Sequence, residues 1–284
     1  MLTNRGEDPF AVELNRSPID LPRAALVFAR SIAYPALDVE AYLGRLDDLA
    51  EAARPQVEAC TALAERAEVL SEFLFYQAGF HGARGGKPGS PDDYYNPENS
   101  FLNRVIDRRQ GTPISLSLLY IAAARRLGMP AYGIGLPGYF IVGLYEAGAE
   151  ILIDPYNAGL RLSLADCGRL VREATGSRRP FEPKWLRPSP PADLLARLLT
   201  NLSNAYIQRE NWRSAILVIQ HLLQIQPEMD WHLRDLGILY FYSGSLRLAA
   251  QYLEEYLRRS PDAPDFETVR SSLRVVTGRL ALWN

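Results

Sequence analysis

An uncharged helical segment followed by short strands constrains this chain more than any other part of it. A helix is predicted over 113–127, because Thr112 can cap it, Pro113 suits its first turn and Gly128 ends it. The middle of this helix carries no charge, so we expect it to be buried on most sides. Strands are predicted by their composition and flanking turns at about 131–136, 138–145 and 150–154. This order, closed by Asp154, predicts an α+β domain.

A repeat with a period of 34 residues occupies the C-terminal part of the chain. Two units, at about 195–228 and 229–262, share identical residues at seven matched positions: Leu199/Leu233, Leu202/Leu236, Tyr206/Tyr240, Arg213/Arg247, Ala215/Ala249, Leu223/Leu257 and Pro227/Pro261. A helix-turn-helix unit of this length that ends in proline is the tetratricopeptide pattern. The segment 266–283 can supply a capping helix. The sequence therefore predicts an all-α repeat domain after the α+β domain.

Length and charge narrow the class of protein. The chain has 284 residues, a formal net charge of -2 and a pI near 6.0. Two domains fit this length, and the absence of a basic field argues against a nucleic-acid partner. The uncharged run 114–124 is too short to span a bilayer, and the first ten residues lack the apolar core of a signal peptide. We therefore expect a cytoplasmic protein with no membrane partner.

The two cysteines show no pattern of a reactive or metal-binding site. Cys60 and Cys167 lie in separate helical patterns, and neither has a histidine nearby in sequence. No Cys-x-x-Cys or His-x-x-x-His spacing occurs. We interpret both as structural thiols, and the sequence implies no metal and no cofactor.

Several segments together resemble the SirB-type family of bacterial proteins, which joins a transglutaminase-like domain to tetratricopeptide repeats. They are NPENS (96–100), GTPISLS (111–117), LPGYF (136–140) and IDPYNAG (153–159), followed by the tandem repeats. The resemblance covers nearly the whole chain, from about Leu21. It implies a papain-like α+β fold over 1–187 and a repeat domain over 188–284. The proline-rich stretch 178–191 is interpreted as a linker or as an extended, packed connection.

The resemblance also implies a site, and this chain departs from it. Active transglutaminase-like enzymes need a Cys at the helix start, a strand His and an Asp or Asn that orients the His. Here no Cys lies between Gly111 and Gly128, and Tyr139 stands where the family has His. A tyrosine, with an ordinary pKa near 10, is a poor base at neutral pH. Ser115, Tyr139 and Asp154 are therefore expected to form a degenerate site.

The leading hypothesis is a non-catalytic regulatory or scaffold protein that binds a protein or peptide. Binding would use the degenerate cleft, the repeat groove, or both. In the groove the candidate residues are Asn201, Asn204, Arg234 and Asp235, at positions of the first helix of each unit that can face inward.

Two other hypotheses stay open. One is a hydrolase or acyl-transferase with a non-standard site, which uses Ser115, or His81 from the Gly-rich loop 81–93, with Asp154. The other is that the cleft in which active relatives carry their catalytic residues is filled by side chains here and contributes only to the stability of the fold.

Overall fold

The computed structural model describes residues 8–85, 93–177 and 179–282. The chain divides into two compact units, Met1–Leu198 and Leu199–Asn284. Most of the predicted Gly-rich loop, at 86–92, lies outside the described residues.

The first unit begins with a group of helices. They are α1 (Pro9–Leu14), α2 (Leu21–Ile32), α3 (Val39–Glu58) and α4 (Leu63–Glu72). The carboxylates of Asp8, Asp20 and Asp38 each accept a hydrogen bond from a first-turn N–H of the helix that follows, which satisfies one of the donors that a helix start leaves free. After α4 the chain makes a π-helical turn, Phe73–Gln77, a form that often marks functional sites.

The predicted uncharged helix is the buried centre of this unit. It follows the short strands β1 (His81–Gly82) and β2 (Gln110–Gly111), which pair in parallel, and α5 (Leu102–Arg108). The helix itself, α6, spans Pro113–Arg126, and every residue from Pro113 to Ala124 is buried. The prediction of a helix that is buried on most sides is confirmed.

A four-stranded antiparallel sheet packs against α6. Its strands, in spatial order, are β3 (Ala131–Leu136), β4 (Tyr139–Glu146), β5 (Ala149–Asp154) and β6 (Leu160–Leu162). The first three were predicted and are confirmed, whereas the short β6 was not predicted. Helix α7 (Leu164–Thr175) follows β6. The antiparallel register places the start of β4 beside the end of β5.

The proline-rich stretch is a packed connection along the sheet. Phe181 and Trp185 pack against the apolar cluster between the sheet and α7. The backbone N–H of Ser189 donates to the carbonyl of Gly133 at 2.8 Å. Of the two interpretations of this stretch, the extended, packed connection is the one confirmed over the described residues 179–190.

The second unit contains the helical repeats. The helices are α8 (Pro191–Gln208, which begins in the first unit), α9 (Trp212–Ile225), α10 (Trp231–Tyr242), α11 (Leu246–Arg259) and α12 (Phe266–Ala281). Ala215 and Ala249, at matched repeat positions, are both fully buried at 0% exposure. Small side chains at these positions let adjacent helices approach closely. Helix α12 lies in the segment for which a capping helix was predicted. Among the described helices, none has the length and the apolar run that crossing a bilayer requires.

Candidate functional site

The register of the sheet brings Tyr139 and Asp154 together. The Tyr139 hydroxyl donates to the Asp154 carboxylate, at 3.2 Å from Oδ2 and 3.3 Å from Oδ1. Asp154 is 0% exposed. The tyrosine therefore contacts the carboxylate that, in an active relative, would orient an imidazole.

Asn157 completes this arrangement. Its Nδ2 donates to Asp154 Oδ2 at 2.7 Å and lies 3.2 Å from the Tyr139 hydroxyl. The backbone N–H groups of Tyr156 and Asn157 donate to Asp154 Oδ1 at 3.1 and 3.3 Å. Asp154 thus caps the 3₁₀ turn Pro155–Asn157 and also accepts hydrogen bonds from the side chains of Tyr139 and Asn157. We call these three residues the Tyr139–Asp154–Asn157 network.

Burial sets the protonation of the network. It raises the pKa of Asp154 above its ordinary value, although the hydrogen bonds from Asn157 and Tyr139 oppose the shift. Burial, followed by the negative charge of Asp154, also raises the pKa of Tyr139 far above its ordinary value. Tyr139 therefore keeps its proton at neutral pH and acts as a hydrogen-bond donor, so it is not available as a general base.

Ser115 lies elsewhere, in the capping box of α6. Its hydroxyl donates to the carbonyl of Asn99 at 2.6 Å and accepts from the backbone N–H of Thr112 at 2.9 Å. The side chain is 0% exposed. The structure therefore brings Tyr139 and Asp154 into contact, whereas Ser115 bonds to the α6 cap and to the preceding turn.

The role of Ser115 can be tested by stability. Ser115→Ala is expected to lower the free energy of unfolding by about 2 kcal/mol, because the buried Thr112 N–H and the Asn99 carbonyl lose their hydroxyl partner and keep only their mutual hydrogen bond of 3.4 Å. Ser117→Ala is the matched control, since Ser117 is also 0% exposed but its hydroxyl has no partner among the described residues. We expect Ser117→Ala to change stability by less than about 0.5 kcal/mol. Urea unfolding measures both, and equal effects would contradict a capping role for Ser115.

An open cavity of about 780 Å³ adjoins the network. Asn157 belongs to both, and Tyr156, another lining residue, donates its backbone N–H to Asp154. The lining residues are Phe75, Tyr76, Phe80, His81, Gly82, Arg84, Gly85, Tyr94, Tyr156, Asn157 and Ala158. The Tyr156 ring meets the rings of Tyr139 and Tyr94 edge-on, with centroids 6.3 and 6.4 Å apart. We call this space the tyrosine cavity.

The walls of the tyrosine cavity combine aromatic rings with polar groups. Burial raises the pKa of Tyr94, and it raises the pKa of Tyr156 to about 12. Both phenols are therefore neutral at physiological pH, and Tyr156 donates its hydrogen bond to the carbonyl of Ala83. The exposed His81 lies in this wall because β1 pairs with β2, and its Nδ1 is 3.3 Å from the carbonyl of Gly82.

Neither cysteine lies at the start of α6. Cys167 is buried in the apolar cluster between the sheet and α7, and burial raises its pKa to about 11. Cys60 is half-buried next to the end of α3, with its sulfur 3.7 Å from the carbonyl of Gln56. Within residues 8–85, 93–177 and 179–282, no three His, Cys, Asp or Glu side chains group as metal ligands would.

The four groove candidates in the repeats lie in different surroundings. Asn204 is exposed and Asn201 is half-buried. Arg234 forms ion pairs with Asp235 and with Asp265, each at 2.7 Å. The charges of Arg234 and Asp235 are therefore partly neutralised within the unit.

A small apolar groove lies between α10 and α12, and sequence reasoning did not identify it. It has a volume of about 270 Å³ and includes Ile238, Tyr242 and Val275. Ile238 occupies the same repeat position as Asn204, 34 residues later. Because Asn204 was already a groove candidate, the 34-residue period could have identified Ile238 as a residue of the same groove face.

Sequence reasoning also missed part of the site in the first unit. It assigned no site role to Asn157, Tyr94, Tyr156 or Arg84. Asn157 follows Asp154 by three residues, a spacing that allows a side-chain contact across one turn. For Tyr94 and Arg84 the sequence contains no local signal, because they reach the cavity from separate loops.

Comparisons with known proteins agree with this architecture. A family model described as the transglutaminase-like superfamily matches residues 40–200, and a tetratricopeptide repeat model matches residues 202–274. A UPF0162 protein of Xylella fastidiosa is 32% identical over 258 residues, which cover 90% of this chain and 89% of that protein. A UPF0162 protein of Haemophilus influenzae is 25% identical over 237 residues, which cover 84% of this chain and 86% of that protein.

Protein SirB1 of Salmonella typhimurium is 23% identical over 235 residues, which cover 81% of this chain and 83% of that protein. The central helix, the strand order and the repeats described above account for both family matches. The chain therefore belongs to the SirB-type family, in which a transglutaminase-like domain precedes tetratricopeptide repeats.

Proposed function

We propose that this chain is a non-catalytic regulatory or scaffold protein that binds a protein or peptide, and that the tyrosine cavity is one of its binding surfaces. The main support is the state of Asp154. Its carboxylate accepts hydrogen bonds from Tyr139, Asn157 and two backbone N–H groups. In the described part of the chain, no thiol or imidazole bonds to it. Without such a partner the carboxylate has no base to orient.

The composition of the tyrosine cavity suits a peptide. Tyrosine and arginine are enriched among residues that dominate binding energy at protein interfaces. Tyr76 is 67% exposed, so its ring is available to a ligand. Arg84 adds donors for peptide carbonyl groups. The cavity, at about 780 Å³, is large enough for several side chains.

The enzyme alternative requires a nucleophile beside a base. The Ser115 hydroxyl is buried and donates its proton to a backbone carbonyl. It therefore does not donate to an imidazole, as a serine nucleophile would. His81 is exposed in the cavity wall, and it is the residue whose replacement decides between the two hypotheses.

Peptide selection on the full chain tests the binding proposal. Phage-displayed peptides selected on the wild-type protein are expected to bind at least about tenfold more weakly to Tyr76→Ala/Arg84→Ala. Tyr145→Ala is the matched control, because Tyr145 is also exposed, at 54%, but does not line the cavity. Binding measured by fluorescence polarisation should be unchanged in this control.

Two results would contradict the proposal. One is equal binding to the cavity variant and to the wild type. The other is turnover of ester or amide substrates by the wild type that His81→Ala or Ser115→Ala abolishes, which would establish the hydrolase alternative.

A further inference from the structure

A second open groove lies in the repeat unit, where α10 ends, α11 begins and α12 ends. Its volume is about 780 Å³. The lining residues that matter here are Phe241, Leu246, Arg247, Leu248, Arg279 and Leu280. We call it the arginine groove. It does not include Asn201, Asn204, Arg234 or Asp235, so it is distinct from the groove that the repeat pattern predicted.

The floor of the arginine groove is apolar and anchored. Phe241, Leu246 and Leu280 are half-buried and pack against the core of the repeat unit, around Leu253 and Val276. The exposed faces of these three side chains therefore have fixed positions. Leu248 is 40% exposed and adds apolar surface at the rim. A ligand that reaches this floor gains hydrophobic contact without first ordering the residues that line it.

Two arginines give the groove its charge. The Arg279 guanidinium lies over the Phe241 ring, 4.8 Å from its centroid, and this contact orients it toward the floor. Arg247 is exposed on the first turn of α11. Neither side chain forms an ion pair with a carboxylate among the described residues, and no Asp or Glu lines the groove. In contrast, Arg234, Arg258, Arg259 and Arg270 in the same unit all pair with acids.

We propose that the arginine groove binds an acidic, leucine-containing peptide segment of a partner protein. Carboxylates of the segment would pair with Arg247 and Arg279, and its apolar side chains would cover Phe241, Leu246 and Leu280. Guanidinium groups bind carboxylates with two parallel hydrogen bonds, which adds geometric specificity to the charge. The proposal names the chemistry of a partner for the repeat unit, and it does not depend on the tyrosine cavity.

The apolar floor favours a peptide over a phosphate-bearing ligand. A free phosphate or a nucleic-acid backbone would satisfy the two arginines but would leave the floor exposed to water. The unit also lacks a net positive charge: residues 199–282 contain nine arginines and nine acidic residues. A long-range field that attracts nucleic acid is therefore absent.

The test uses the full chain and a short fluorescein-labelled peptide in which two glutamates alternate with two leucines. Fluorescence polarisation should detect saturable binding that weakens as salt is added, because exposed charge pairs are screened. Arg247→Glu/Arg279→Glu should weaken binding at least about tenfold. Arg247→Glu alone should weaken it several-fold, and this variant leaves the Arg279–Phe241 contact intact.

Arg274→Glu is the matched control, since Arg274 is exposed on the same helix as Arg279 but does not line the groove. Its binding should equal that of the wild type, and circular dichroism should show the same helix content in all variants. A peptide with glutamine in place of glutamate should bind at least about tenfold more weakly.

Several outcomes would overturn the proposal. They are no saturable binding, equal binding of the glutamine peptide, equal losses in Arg274→Glu, or complete displacement of the peptide by inorganic phosphate at low millimolar concentration. A concentration-dependent dimer that Arg247→Glu/Arg279→Glu abolishes would assign the groove to a second copy of this chain instead. Tyr76→Ala/Arg84→Ala should leave binding of the acidic peptide unchanged, so failure of one proposal is distinguishable from failure of the other.

Discussion

Replacing Asp154 with alanine is expected to cost about 3 kcal/mol of unfolding free energy. The substitution removes the acceptor for the Tyr139 hydroxyl, the Asn157 amide and the N–H groups of Tyr156 and Asn157. Asp154 is 0% exposed and Tyr139 is half-buried, whereas Asn157 is exposed, so water compensates for the lost hydrogen bonds only in part. Urea unfolding monitored by circular dichroism gives the loss directly.

Asp154→Asn is the conservative control, because it keeps one of the two acceptor oxygens and removes the charge. Burial raises the pKa of Asp154 in the folded state, so the folded protein favours the protonated form more than the unfolded chain does. The stability contribution of Asp154 is therefore greatest below its unfolded pKa, near 3.9, and declines as pH rises through the raised folded pKa.

We expect the unfolding free energy of the wild type to fall relative to that of Asp154→Asn as the pH rises from 4 toward neutrality. A relative increase over the same range would mean that the folded state favours the carboxylate, which would contradict the dominance of burial over hydrogen bonding.

Gly159→Ala is expected to destabilise the first unit by about 3 kcal/mol and to lower its melting temperature by about 10 °C. Gly159 has a φ of +73°, and an added Cβ would lie 2.4 Å from Ser71 Cβ and 2.9 Å from the Phe75 ring. Both neighbours are buried, so the clash cannot be relieved by moving the end of a flexible side chain. The strain would reach the site, because the Gly159 N–H donates to the Asp154 carbonyl at 2.9 Å.

Gly148→Ala separates the two causes of the expected destabilisation by Gly159→Ala, which are the positive φ of the backbone and the steric clash of the added Cβ. Gly148 also has a positive φ, +86°, but no atom lies within 4 Å of the Cβ position. Its substitution should therefore cost only the backbone strain, about 1 kcal/mol. Differential scanning calorimetry of both variants tests the difference. Equal losses would show that the close approach to Ser71 does not constrain the turn after Asp154.

The local parts of the fold could be read from the sequence because their signals lie within a few residues. Thr112, Pro113 and the uncharged run after them define α6, since capping and burial act within each turn. The repeat helices follow from a 34-residue period for the same reason. The absence of Cys between Gly111 and Gly128, and the presence of Tyr139, were likewise visible without a structure.

The arrangement of the site required the tertiary structure. Tyr139 and Asp154 meet across 15 residues through the register of β4 and β5, and the Tyr156 hydroxyl meets the Ala83 carbonyl across 73 residues. Such contacts depend on strand pairing and loop paths that no local pattern encodes. Ser115 illustrates the consequence: its sequence position suggested a place beside Tyr139, whereas its hydroxyl bonds to Asn99 and Thr112.

The two-part architecture, the buried helix and the lack of a thiol at the helix start can all be predicted without coordinates. These properties depend on residue types and on spacing along the chain, which hydrophobic periodicity and capping translate directly into structure. Three other features are visible only in the folded chain. Asn157 and Tyr139 both donate to Asp154, tyrosines line a cavity beside them, and Arg247 and Arg279 share a groove. These properties depend on distances between side chains from different elements, which are set only when the core packs.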